Sequence, residues 1–159
     1  MGKPLLAIDI DGVVSVFGFE QRPEGASHTF LLVDGMPHCI SLLAGNRLRR
    51  LEASFELVWA SGWEDKANFY LPQLLGLPDL PHVSFDDAAR DGVAHWKLGA
   101  LGEYARGRAM AWIDDNLDRS CHDWAAARCE PTLLVPTEPE LGLEEVHVDA
   151  LEAWAASLD

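Results

Sequence analysis

Residues Leu5 to Gly12 read LLAIDIDG. The first four form an unbroken apolar run, the pattern of a parallel strand covered on both faces rather than of a half-exposed strand. The run then ends in two acids, Asp9 and Asp11, with Gly12 behind them. Apolar runs of the same kind recur as FELVWAS (55–61), AMAWIDD (109–115) and TLLVPT (132–137), and HVSFDD (82–87) is a shorter candidate. Helical patterns lie between them. Ala44, Leu48, Leu51 and Phe55 fall on one helical face. EDKANFYLPQLLGL (64–77) predicts a helix with Pro72 as a kink or boundary, HWKLGALGEYARG (95–107) one closed by Gly107, CHDWAAARC (121–129) a short one, and Leu143 to Leu158 a terminal one. HTFLLVDGMPHCIS (28–41) carries Asp34-Gly35 between apolar flanks, a hairpin pattern. This alternation predicts an α/β fold: a three-layer, doubly wound, Rossmann-like parallel sheet over residues 1–159 as a single domain, with a small flap hairpin after the first strand. Ligands of such sheets bind beyond the carboxyl ends of the strands, where this chain gathers its acids.

Composition narrows the function. The chain has 159 residues, 48% of them hydrophobic, enough for a packed core. A formal net charge of −14 repels nucleic-acid backbones and acidic membranes, so tight nucleic-acid binding is not expected. An acidic protein that handles phosphate needs a metal ion to make its site attractive. Cys39, Cys121 and Cys129 form no CxxC pair, and the six histidines show no zinc spacing. Reduced thiols and a cytoplasmic location are expected. The N-terminus has neither a signal-peptide nor a myristoylation pattern, and no apolar stretch is long enough to span a bilayer.

Residues i and i+2 of a strand point to one face, so the carboxylates of Asp9 and Asp11 are expected to approach each other. Close carboxylates resist joint ionisation unless a cation sits between them or one keeps its proton. A hard divalent ion such as Mg²⁺ takes oxygen ligands. A retained proton makes one acid a general acid, and the other can act as a nucleophile. The bland alternative is a strand emerging into solvent. Ser61, followed by Gly62, can hold a phosphate oxygen or cap a helix opened by SGWED. Lys97 either faces solvent or faces the carboxylates and a transferring phosphoryl group. Asp114 and Asp115 offer a metal ligand or a helix cap, a role Asp118 can fill instead. Trp63 and Trp96 flank Ser61 and Lys97 and either pack or stack on a substrate ring.

Four patterns in order, DIDG (9–12), WASGW (59–63), HWK (95–97) and IDDNLD (113–118), resemble the haloacid dehalogenase superfamily of phosphohydrolases. The resemblance runs from Leu5 to about Asp118 and implies a phosphatase. It casts Asp9 as nucleophile and Mg²⁺ ligand. It casts Asp11 as acid/base, with its backbone carbonyl on the metal. Ser61 becomes the phosphate-binding hydroxyl, beside the backbone N–H already read at Gly62, Lys97 the cation that steadies nucleophile and phosphoryl group, Asp115 a metal ligand, and Asp114 the second choice or an outer support. Dehalogenase members generally lack an acid where Asp11 stands, so phosphoryl transfer is favoured over carbon–halogen cleavage. WASGWEDKAN (59–68) also resembles the haloacid-dehalogenase-type domains of RNA-repair proteins.

The spacing leaves no room for a separate cap domain, so a capless or minimally capped enzyme is expected, with a flap from about Val13 to Ile40. An open site suits a large substrate or an oligomer whose partner covers it. The expected substrate is a phosphate ester: a nucleotide, another small ester or a polynucleotide end. Two rival classes are a catalytically silent binding domain of the same fold and a receiver-like phospho-acceptor domain. A receiver, however, wants adjacent acids after the first strand.

Overall fold

The computed structural model describes residues 2–85 and 95–159; Asp86 and Asp87, the end of the expected HVSFDD strand, lie outside the described residues. Four parallel strands form the main sheet: β1 (Leu5–Ile8) lies between β5 (Glu56–Trp59) and β6 (Met110–Asp114), and β7 (Thr132–Pro136) pairs with β6. Alternate residues of these strands enter two separate cores. Leu6, Ile8, Leu57, Trp59, Ala111 and Ile113 pack with Ala44, Leu48 and Leu51 of helix α1 (Leu42–Leu51) and with Val148 and Leu151 of α6 (Glu145–Ser157). Leu5, Ala7, Val58, Ala60, Met110 and Trp112 pack with Leu98 and Leu101 of α4 (Leu98–Tyr104) and Cys121 of α5 (Arg119–Ala127). Burial on both faces is why β1, β5 and β6 read as continuous apolar runs, while β7, at the sheet edge, is only partly covered. The result is an α/β architecture with a four-stranded parallel sheet flanked by helices, compatible with a Rossmann-like fold.

A second sheet carries the hairpin. Its order is β2 (Ser15–Val16), β4 (Met36–Ser41), β3 (His28–Val33), all antiparallel. Val33 pairs with Met36, leaving Asp34 and Gly35 as a two-residue loop at φ 51° and 81°. Two positive φ angles in succession are what a type I′ turn demands, and Asp-Gly supplies them.

Several boundaries differ from the sequence expectation. Helix α1 stops at Leu51, so Phe55 is not on its face; Phe55 is buried in the following segment and stacks on Trp154 at 6.2 Å. The 64–77 stretch is two helices, α2 (Lys66–Tyr70) and α3 (Pro72–Leu75), because Pro72 lacks the N–H that would continue the first and is well suited to open the second. Helix α4 begins at Leu98, after Lys97, and ends short of Gly107. Helix α5 begins two residues before Cys121, since Asp118 caps it by accepting a hydrogen bond from the Cys121 N–H at 3.2 Å. In HVSFDD, His82 makes a single parallel bridge to Trp59. Among the described residues no helix is long and apolar enough to cross a membrane.

Candidate functional site

Register brings the site together. Ile8 lies opposite both Trp59 and Ile113, so the next residues, Asp9, Ala60 and Asp114 (the last of β6), stand side by side at the strand ends, with Ser61 and Asp115 one step beyond. Lys97, at the entry to α4, reaches into this row. Its ammonium donates to the Ala60 carbonyl at 2.9 Å and to Asp114 Oδ2 at 2.7 Å, and lies 3.0 Å from Asp9 Oδ1. An ammonium has three donors, and all three are directed at acceptors. Lys97, Asp9 and Asp114 are 3%, 6% and 1% exposed, so the solvent-facing alternative for Lys97 does not hold. His95 sets the approach of this lysine: its ring Nδ1 accepts from the Lys97 N–H at 3.2 Å, and its own N–H donates to Ser120 Oγ at 2.9 Å.

The three carboxylates of Asp9, Asp114 and Asp115 each offer an oxygen within 4.8 Å of the others. Asp114 is already committed, through Oδ2 to Lys97 and through Oδ1 to the Asn116 N–H at 2.9 Å. Asp115 packs on Gly12: a Cβ at Gly12 would stand 2.4 Å from the Asp115 Cγ, and Gly12 also has φ +82°. Gly12→Ala is therefore expected to cost about 1–3 kcal/mol from backbone strain alone and to displace Asp115. Chemical denaturation and a Mg²⁺ titration followed by thermal shift check this; unaltered stability with unaltered Mg²⁺ response would contradict it.

Electrostatics of the cluster are unbalanced. Burial pushes the Asp9 carboxyl well above its usual range, with Asp114 adding to the rise and Lys97 opposing it. Burial and Asp114 likewise raise Asp115, against a hydrogen bond with Asp9. Burial works against the Lys97 ammonium, but Asp9 and Asp114 more than offset it, and its pKa rises. Both members of the Asp9–Lys97 pair are thus raised: among the described residues one cation is shared by three acids, and it holds its proton firmly without fully compensating a buried carboxylate. A cluster of oxygen donors with surplus negative charge fits a hard divalent cation. Asp9, Asp114 and Asp115 are the residues that could hold it.

Asp11 stands apart from this group. Its side chain is 52% exposed and accepts a hydrogen bond from Trp63 Nε1 at 3.3 Å. The close acids are Asp9, Asp114 and Asp115, brought from two strands, whereas the sequence expectation paired Asp9 with Asp11. β1 ends at Ile8, so the i, i+2 rule for strands does not govern Asp9 and Asp11.

Ser61 is buried, and its Oγ accepts from the Trp63 N–H at 3.2 Å, closing a turn. It is not a helix cap: α2 begins only at Lys66, with Asp65 at the cap position. Gly62 is exposed, and Trp96 lies 3.9 Å from where its Cβ would be. Sequence reasoning missed His38 and His95. The only signal for His95 was its position two residues before Lys97. For His38 there was none, because the hairpin must fold back before it meets Asp11 and Trp63. No family model and no curated protein matches this chain.

Proposed function

We propose that this chain is a Mg²⁺-dependent phosphatase that hydrolyses phosphate monoesters through an aspartyl-phosphate. The observation that carries the proposal is the buried cluster of Asp9, Lys97 and Asp114, with Asp115 beside it, at the aligned ends of parallel strands. A fold that buries one lysine among three carboxylates maintains a costly arrangement, which a role in chemistry explains. The resemblance to the haloacid dehalogenase superfamily points the same way.

Asp9, Asp114 and Asp115 would hold Mg²⁺, which supplies the positive charge that draws a phosphate to an acidic site. Ser61 Oγ and the Gly62 N–H hold phosphate oxygens, and Lys97 steadies Asp9 and the phosphoryl group. An Asp9 oxygen forms a bond to phosphorus. The bond from phosphorus to the ester oxygen breaks, its electron pair leaves with that oxygen, and Asp11 gives it a proton. Water then attacks phosphorus, Asp11 takes the proton, and inorganic phosphate departs with Asp9 restored. In this scheme the sheet is doubly wound, and the β3–β4 hairpin serves as a flap in place of a cap domain. The substrate is a nucleotide, another small ester or a polynucleotide end. A cytoplasmic setting suits Cys39, Cys121 and Cys129, all free thiols.

The test is turnover of a panel of phosphate esters, including nucleotides and 5′- or 3′-phosphorylated oligonucleotides. Turnover is expected with Mg²⁺ and is expected to vanish with EDTA. Saturating Mg²⁺ is also expected to raise stability, by about 2.7 kcal/mol at one hundred times its dissociation constant. No ester turned over, or turnover indifferent to EDTA, would refute the proposal.

A further inference from the structure

Asp11 differs from the other acids of the site in being half exposed, outside the Lys97 cluster. A general acid free to rotate would lose much of its rate advantage, since orientation is a large part of intramolecular catalysis. A chain of contacts restrains it. Trp63 Nε1 donates to Asp11 Oδ2 at 3.3 Å. The His38 ring packs edge-on against the Trp63 ring, with centroids 4.9 Å apart at 69°. His38 Nδ1 is in turn 2.8 Å from Ser15 Oγ, and Ser15 closes the loop that carries Asp11 through the Gly12 N–H to Ser15 carbonyl bond of 2.8 Å. His38 comes from β4, so the hairpin itself is part of this support.

The chemistry of the contact is directional. An indole N–H only donates, so the oxygen it binds is held as an acceptor. That leaves Oδ1, 3.7 Å from His38 Nδ1 and beyond hydrogen-bond reach of it, as the oxygen available to a leaving group. Trp63 therefore selects which Asp11 oxygen faces the leaving group. We infer that Trp63 is a positioning residue for the Asp11 general acid, braced by His38 of the hairpin. The inference rests on the phosphatase proposal and deepens it: the same loop that presents Ser61 to the phosphate orients the acid for the leaving oxygen.

Trp63 also packs against the larger core, so the test must separate position from packing. Trp63→Phe keeps a ring there and removes the N–H. The measurement is kcat/KM in Mg²⁺ for p-nitrophenyl phosphate, whose leaving group needs little protonation, and for a simple alkyl phosphate, whose leaving group needs it most. Trp63→Phe is expected to lose about tenfold more on the alkyl than on the aryl ester. Asp11→Asn is expected to shift the ratio further in the same sense, and His38→Gln about threefold. Equal losses on both esters in Trp63→Phe, or none, while Asp11→Asn still discriminates, would overturn the inference and leave the phosphatase proposal standing. No turnover by the unsubstituted protein would overturn both. If Trp63→Phe does not fold, as judged by circular dichroism, the His38→Gln ratio decides, and an unchanged ratio there refutes the inference.

Discussion

Asp9→Asn is expected to lower phosphatase turnover by at least about 10³-fold, because an amide cannot form the covalent phosphoryl bond. The same substitution is expected to make the metal-free protein more stable at pH 7. Burial lifts the folded-state pKa of Asp9 above its ordinary 3.8. A carboxyl raised in this way binds its proton more tightly folded than unfolded. Stability therefore falls as pH rises from about 4 through the raised value, and the loss is complete above it. Asn carries no such penalty. A gain of about 1 kcal/mol, or a few degrees in Tm, is typical when a strained active-site group is neutralised. Thermal unfolding in EDTA from pH 4 to 8 checks this. The unsubstituted protein should lose stability across that range relative to Asp9→Asn, and the two curves should approach each other at the acid end. A variant that is inactive and less stable at pH 7 would mean that the Lys97 contact outweighs the burial of Asp9.

Lys97→Met is expected to show the largest loss of stability in the molecule, about 3–5 kcal/mol. The thioether side chain fills similar space, so the cost is electrostatic. Asp9 loses a cation at 3.0 Å and Asp114 one at 2.7 Å, and the Ala60 carbonyl loses its side-chain donor. Two buried carboxylates then face each other without compensation. Urea denaturation at pH 7 in EDTA measures the effect. Saturating Mg²⁺ should restore part of it, and so should Asp9→Asn in the same chain, with a coupling of about 0.5–3 kcal/mol between the two sites. A loss under about 1 kcal/mol, or exact additivity of the two substitutions, would show that the three charges do not act as a unit.

How much of this was legible beforehand depends on the range of the interaction. LLAI, FELVWAS, AMAWIDD and TLLVPT each announced a strand, the first three largely buried and the last an edge strand only partly covered, and Asp34-Gly35 announced its turn, because these features are local. Helix limits were less legible. Phe55 shares the spacing of α1 but lies beyond its end, and Lys97 opens α4 without belonging to it. Spacing reports which residues can share a face, not where hydrogen bonding stops.

The sequence by itself determined that acids, a serine and a lysine stand at the ends of successive elements, since each sits at a break in an apolar run. Only the tertiary structure decided which of them meet. Asp9 and Asp11 are two residues apart in DIDG, yet Asp9 turns inward to Lys97 and Asp114 while Asp11 turns outward to Trp63. The physical reason is strand register: pairing Ile8 with both Trp59 and Ile113 sets Asp9 beside Asp114, from a strand about a hundred residues away. His38 entered by a tertiary route too, carried to Trp63 by a hairpin whose placement against the loop after β5 no local pattern could reveal.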